Sequence, residues 1–117
     1  MKYNMSKRDN DILIDDILES CNKISKYTAG LTFENFAADD KTVDAVIRNF
    51  EIIGEAANKL TEDFKDLYHQ IDWHKIRGFR NRIVHDYAGV DLNIVWMIIT
   101  DFLPGMMDDM LKIQHHQ

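Results

Sequence analysis

In this chain, cations, an amide, an imidazole and a phenol lie among apolar residues at helical spacing in one stretch, Ile76-Arg77-Gly78-Phe79-Arg80-Asn81-Arg82-Ile83-Val84-His85-Asp86-Tyr87. From Lys75 to Arg82 there are four cations (Lys75, Arg77, Arg80, Arg82) and no acid. The whole chain carries 14 basic and 20 acidic side chains, so without those four the balance is 10 against 20. A basic island on an acidic protein points to an anion. Histidine, with a reference pKa of about 6.5, moves protons near neutrality. Arginine presents a planar fork that matches phosphate oxygens. The combination suits proton transfer beside a bound phosphate.

Wound as a helix at roughly 100° per residue, the stretch divides into three faces. Ile76, Phe79, Ile83 and Tyr87 form an apolar stripe that should meet a core. Lys75, Arg82 and Asp86 fall on the solvated back. Trp73, His74, Arg77, Arg80, Asn81, Val84 and His85 share the third face, which is neither core nor ordinary surface. On a straight helix Asn81 and His85 are neighbours, whereas Arg80 and His85 are about 140° apart. Those two meet if the helix ends near His85, or if a second copy packs two-fold against the first. The spacing therefore hints at a composite site in a dimer.

Arg80-x4-His85-x-Tyr87, with Asn81 following the arginine, resembles the Arg-x4-His-x-Tyr motif of HepT-like toxins of the HEPN superfamily. Ile53-Gly54-Glu55-Ala56-Ala57 upstream, Trp73, and Val95-Trp96 with Leu103-Pro104 downstream extend the resemblance from about Asp9 to Leu111. It implies an all-α homodimer with ribonuclease activity, the toxin of a toxin–antitoxin system, paired with a minimal nucleotidyltransferase antitoxin. In that family the tyrosine matching Tyr87 is the acceptor for adenylyl groups from the antitoxin.

RNA is cut without metal when its own 2′-hydroxyl attacks the adjacent phosphate. That reaction needs a proton acceptor, a proton donor for the leaving 5′-oxygen, and cations for the pentavalent phosphorane. His85 is the proton-transfer group, Arg80 the phosphorane clamp, and Asn81 orients the imidazole or holds a phosphate oxygen. Arg77 adds positive field, and Trp73 or Tyr87 stacks on a base. The competing reading is a non-catalytic helical module that docks a nucleotide or the partner nucleotidyltransferase. Each residue also has a bland role: a capping histidine at His85, an ion pair with Glu55 for Arg80, a surface amide at Asn81, a bystander at His74. His69, His74 and His85 lack metal-ligand spacing, and no cofactor is expected.

Composition constrains the rest. The chain of 117 residues suits one domain over 1–117, and 45% hydrophobic content supplies a core. One proline and five glycines favour helices. Net charge −6 argues against general coating of nucleic acid while allowing a local basic site. Cys21, alone, cannot form an internal disulfide and reads as a small core residue. Without a signal-like or membrane-length apolar run, a cytoplasmic protein with no membrane association is expected.

The elements that must position the stretch follow from stripes and caps. Asp9 to about Tyr27 reads as a helix with Ile14, Ile17, Leu18, Cys21 and Ile24 on one side, ended by Gly30. Thr32 caps a short helix from Phe33 to Ala38. Asp39 or Asp40 starts the longest helix, to about Leu60, where Gly54 implies close approach of another helix. Thr61 caps a short turn to Leu67, Asp72 caps the motif helix from Trp73 to about His85, and Asp91 caps the last helix. Pro104 should kink or interrupt that helix after Leu103. The expected architecture is all-α: an antiparallel bundle of four main helices with short additional ones.

Overall fold

A computed structural model describes residues 7–85 and 89–116, the side chains of Lys7 and His85 apart. It is all-α, consistent with a HEPN-like bundle. Helix α1 (Lys7–Thr28) packs against α3 (Asp40–Lys59) and against the C-terminal helix α8 (Leu103–His116). Between them run α2 (Phe33–Ala37), α4 (Glu62–Leu67), α5 (Trp73–Arg77), α6 (Phe79–Ile83) and α7 (Leu92–Met97). A two-residue ladder, β1 (Val84–His85) with β2 (Gly89–Val90), interrupts the helices; Val84 faces Val90 and His85 faces Gly89, antiparallel.

Local chemistry sets the starts. Thr32, Asp39, Thr61, Asp72 and Asp91 each accept a backbone N–H from the first turn that follows, as their side-chain types anticipate. Gly30, at φ +76°, supplies the left-handed residue that lets the chain leave α1. Thr61 does a second job. Its backbone N–H donates to Asn10 Oδ1, and its hydroxyl accepts from Asn10 Nδ2, so the start of α4 is tied to the start of α1.

The apolar stripes then meet. Ile14, Ile17, Cys21 and Ile24 of α1 are fully buried together with Val46, Phe50 and Ile53 of α3. Met106, Met110 and Ile113 of α8 complete that layer, and Phe79 packs edge-on against Phe50 at 6.0 Å between ring centres. Each such side chain contributes about 1.5–3 kcal/mol when fully removed from water. Burial pushes the Cys21 thiol up to about 12, which is the behaviour of an inert core residue.

Two expected features take a different form. The motif helix is not one rod from Trp73 to His85. It is interrupted at Gly78, whose ψ of −4° opens the turn, and its amide is shared between the carbonyls of His74 (3.0 Å) and Lys75 (3.1 Å). It then stops at Ile83, because Val84 turns extended at φ −95°, ψ 117° to pair with Val90. Pro104 does not break the last helix. Proline has no N–H and crowds the carbonyl four residues back. The chain meets that constraint by widening Ile98–Phe102 into a π turn, where the Leu103 N–H reaches Ile98, and continues as α8.

Candidate active site

The basic stretch forms one wall of a cleft of about 600 Å³, a volume within the usual range of ligand pockets. Helices α5 and α6 supply Arg77, Gly78, Arg80, Asn81 and Arg82, together with His74 and Lys75; α3 supplies Glu51, Gly54, Glu55 and Asn58. The two walls approach closely at Gly54. A Cβ there would lie 3.4 Å from the carbonyl oxygen of Arg77. The close approach inferred from a glycine in mid-helix is therefore between α3 and the last turn of α5.

Four cations (Lys75, Arg77, Arg80, Arg82) and two acids (Glu51, Glu55) line this cleft. Arg77, Arg80 and Arg82 are exposed, and among the described residues none of them pairs with a carboxylate. Arg77 is instead held by neutral groups: Nη1 donates to Asn58 Oδ1 at 3.5 Å, and Nη2 lies 3.2 Å from His74 Nδ1. A guanidinium only donates, so that His74 nitrogen is the acceptor and the ring proton of neutral His74 sits on Nε2. Lys75 is drawn to the far side, with its ammonium 3.5 Å from the centre of the Phe102 ring.

Of the residues nominated from sequence, the structure brings Arg77, Arg80 and Asn81 into this cleft. His85 is not their helical neighbour: it lies past the end of α6, in β1, so the reading of Asn81 and His85 as one turn apart does not hold. Tyr87 lies outside the described residues. Trp73 was expected to stack on a base, but it is a core residue. Only 8% of it is exposed, its indole N–H donates to the Tyr68 carbonyl at 3.2 Å, and its ring packs beside Phe64. Glu55 is exposed on the α3 bank and forms no ion pair with Arg80 among the described residues, so the expected structural salt bridge is absent. Arg82, placed on the solvated back, lines the cleft instead, because the opening at Gly78 and the end of α6 shift the wheel.

Sequence reasoning missed two participants. His74 was set aside as a bystander, yet it fixes Arg77. Asn58 was not considered. Its signal was available: it lies four residues after Gly54, on the same face of α3. Among the described residues, no helix is long and apolar enough to cross a membrane.

Comparison with known proteins agrees with the motif. The family described as ribonuclease HepT-like matches residues 17–113. A probable ribonuclease HepT of Thermococcus cleftensis is 35% identical over 108 residues, covering 92% of this chain and 98% of that one. A candidate RNase of Methanocaldococcus jannaschii is 37% identical, with 93% of this chain and 90% of the relative covered. A candidate RNase of Caldanaerobacter subterraneus subsp. tengcongensis is 31% identical over 86% of this chain and 89% of its own. No solved structure matched the chain. An all-α bundle, a cleft lined by three arginines and a family match over most of the length lead to one conclusion: the chain belongs to the ribonuclease HepT-like family and is, by that membership, a ribonuclease.

Proposed function

We propose that this chain is a metal-independent endoribonuclease toxin that cuts RNA by 2′-hydroxyl attack. The observation that supports the reading is that Arg77, Arg80, Arg82 and Asn81, ahead of His85 in the chain, line one cleft, and that among the described residues none of the three arginines is paired with a carboxylate. Arg80 clamps the phosphorane oxygens with paired charge-assisted bonds. Arg77, held by Asn58 and His74, adds fixed positive field without having to reorganise. Asn81 holds a phosphate oxygen. His85 takes the proton from the 2′-hydroxyl or gives one to the leaving 5′-oxygen. Both roles fall to histidine if the protein is a homodimer whose two copies of β1 flank one substrate.

A ribonuclease acting on its own cell's RNA must be restrained. In this reading a cognate minimal nucleotidyltransferase antitoxin adenylylates Tyr87. The phenol oxygen attacks the α-phosphorus of ATP, pyrophosphate leaves, and the phenolic proton passes to a base of the partner. The attached AMP phosphate then competes for Arg77 and Arg80, and the modified toxin is blocked by its own anion site.

The test is cleavage of RNA in EDTA, with the product ends examined for 2′,3′-cyclic phosphate. Arg80→Ala and His85→Ala should each reduce cleavage by at least about a hundredfold while far-UV circular dichroism is unchanged. Full activity in either variant overturns the assignment. Light scattering should show a dimer at micromolar concentration. Incubation with the partner and ATP should add one adenylyl mass to the peptide holding Tyr87, and none to Tyr87→Phe.

A further inference from the structure

A second cleft, of about 610 Å³, opens on the other side of the His74–Arg77 pair. Those two residues line both clefts, so anything held at the arginines continues naturally into the second. The two cavities differ in chemistry. The first sets the cations of α5 and α6 opposite Glu51, Glu55 and Asn58 of α3. The second has an apolar floor of Ala57, Ile71 and the edge of Trp73, and a mixed rim from α4 and the loop leading to α5.

The rim sorts itself by what is already engaged. Lys65 is paired with Glu62 at 3.0 Å, and an oxygen of Asp72 is taken up capping α5. Asp66, His69 and Gln70 have no partner among the described residues, and all three are exposed. They offer a carboxylate with two acceptor oxygens, beside an amide and an imidazole that donate. A second phosphate is disfavoured there by the carboxylates. A flat, neutral group with adjacent donors and one acceptor is favoured.

We infer that this second cleft is a base-reading subsite for the nucleotide next to the reacting phosphate, and that Asp66 makes it select guanine. This rests on the ribonuclease reading of the neighbouring cleft. Guanine is the one RNA base whose Watson–Crick edge presents two adjacent donors, N1–H and the N2 amine, next to an acceptor, O6. Asp66 accepts from the donor pair, and Gln70 or His69 donates to O6. Adenine and cytosine offer a single amine beside a bare ring nitrogen, and uracil sets two carbonyls against the carboxylate. Phosphate contacts at Arg77 position the chain, and base-edge contacts at Asp66 give it sequence preference.

The experiment titrates guanosine, inosine and uridine 3′-monophosphates into the full chain and reads Trp73 emission, since Trp73 floors the cleft. Trp96 is the other tryptophan, and Trp96→Phe removes its background. Guanosine monophosphate should bind roughly tenfold tighter than uridine monophosphate, with inosine, which lacks the N2 amine, in between. Asp66→Asn should bring the three within about twofold of one another. Equal affinities in the unaltered chain, or an undiminished guanosine preference in Asp66→Asn, overturn the subsite. Cleavage of a mixed-sequence oligoribonucleotide separates the two readings. If RNA is cut with the same preference by both proteins, the subsite is wrong and the ribonuclease reading stands. If guanosine monophosphate is preferred but no RNA is cut, the subsite stands and the ribonuclease reading fails.

Discussion

Gly54 offers a direct test of how the cleft is built, because two substitutions there should act in opposite directions. Glycine within a helix costs about 1 kcal/mol relative to alanine. Here the added Cβ would sit 3.4 Å from the Arg77 carbonyl oxygen, an ordinary van der Waals contact. Gly54→Ala should therefore keep most of the helix gain and stabilise the fold by about 0.5–1 kcal/mol. For a chain of this size that corresponds to a rise in Tm of roughly 2–6 °C. Valine adds two methyl groups about 1.5 Å beyond that Cβ, where the carbonyl already stands. Overpacking of this kind costs typically about 1–3 kcal/mol. It is relieved by moving α5 off α3, which carries Arg77 away from Asn58. Gly54→Val should thus lose both stability and RNA cleavage, while Gly54→Ala keeps cleavage. Urea denaturation followed by circular dichroism and an RNA cleavage assay on the same samples read both effects. An alanine variant destabilised by more than about 1 kcal/mol, or a valine variant as stable and active as the parent, would refute the proposed contact between α3 and α5.

Other outcomes follow from single residues. Thr61→Ala removes the α4 cap and the hydroxyl that accepts from Asn10, and should cost about 1–2 kcal/mol, measured by thermal unfolding. The Cys21 thiol, raised from 9.0 to about 12, should resist iodoacetamide at pH 8 in the folded protein and react once urea unfolds it. Because the folded value lies above the unfolded one, the contribution of Cys21 to stability is intact below pH 9 and declines as pH rises toward 12, which pH-dependent urea unfolding of Cys21→Ala against the parent would isolate. Arg82→Ala, made in a His85→Ala background to prevent cleavage, should weaken RNA binding and lower the slope of log affinity against log salt by about 0.7; an unchanged slope would place Arg82 away from phosphate.

Features that depend on nearest neighbours in the chain were legible from the sequence. The five capping residues act within two or three positions, so side-chain type alone locates them. The stripe Ile14, Ile17, Leu18, Cys21 and Ile24 is buried as its spacing requires. What could not be read depends on distant partners. The end of α6 at Ile83 is decided by pairing of Val84 with Val90, and that pairing takes His85 off the helix. Trp73 sits on the polar face of the wheel, but as the first residue of α5 it folds back over Phe64 and Tyr68, which no periodicity within α5 reveals. The arginines were found because their type and density are unusual. Their grouping was only partly right, since an opened turn at Gly78 changes which of them face α3.

The π turn at Ile98–Phe102 works as a phase adjuster in one continuous rod. Upstream of it, Trp96 lies against Phe36 at 5.2 Å; at its end Phe102 lies against Phe79 at 6.3 Å; downstream, Met106, Met110 and Ile113 are buried in the layer with α1. A π turn holds one residue more than an α turn. Were the same residues wound as regular α-helix, everything after the turn would be rotated by about 100° relative to everything before. The methionine face would swing off α1, or the Phe102 ring would leave its place beneath Lys75 and beside Phe79. The widened turn thus absorbs one residue and lets one helix satisfy two differently oriented neighbours, so a further residue inserted here, with no second widened turn to absorb it, would rotate α8 by about 100°.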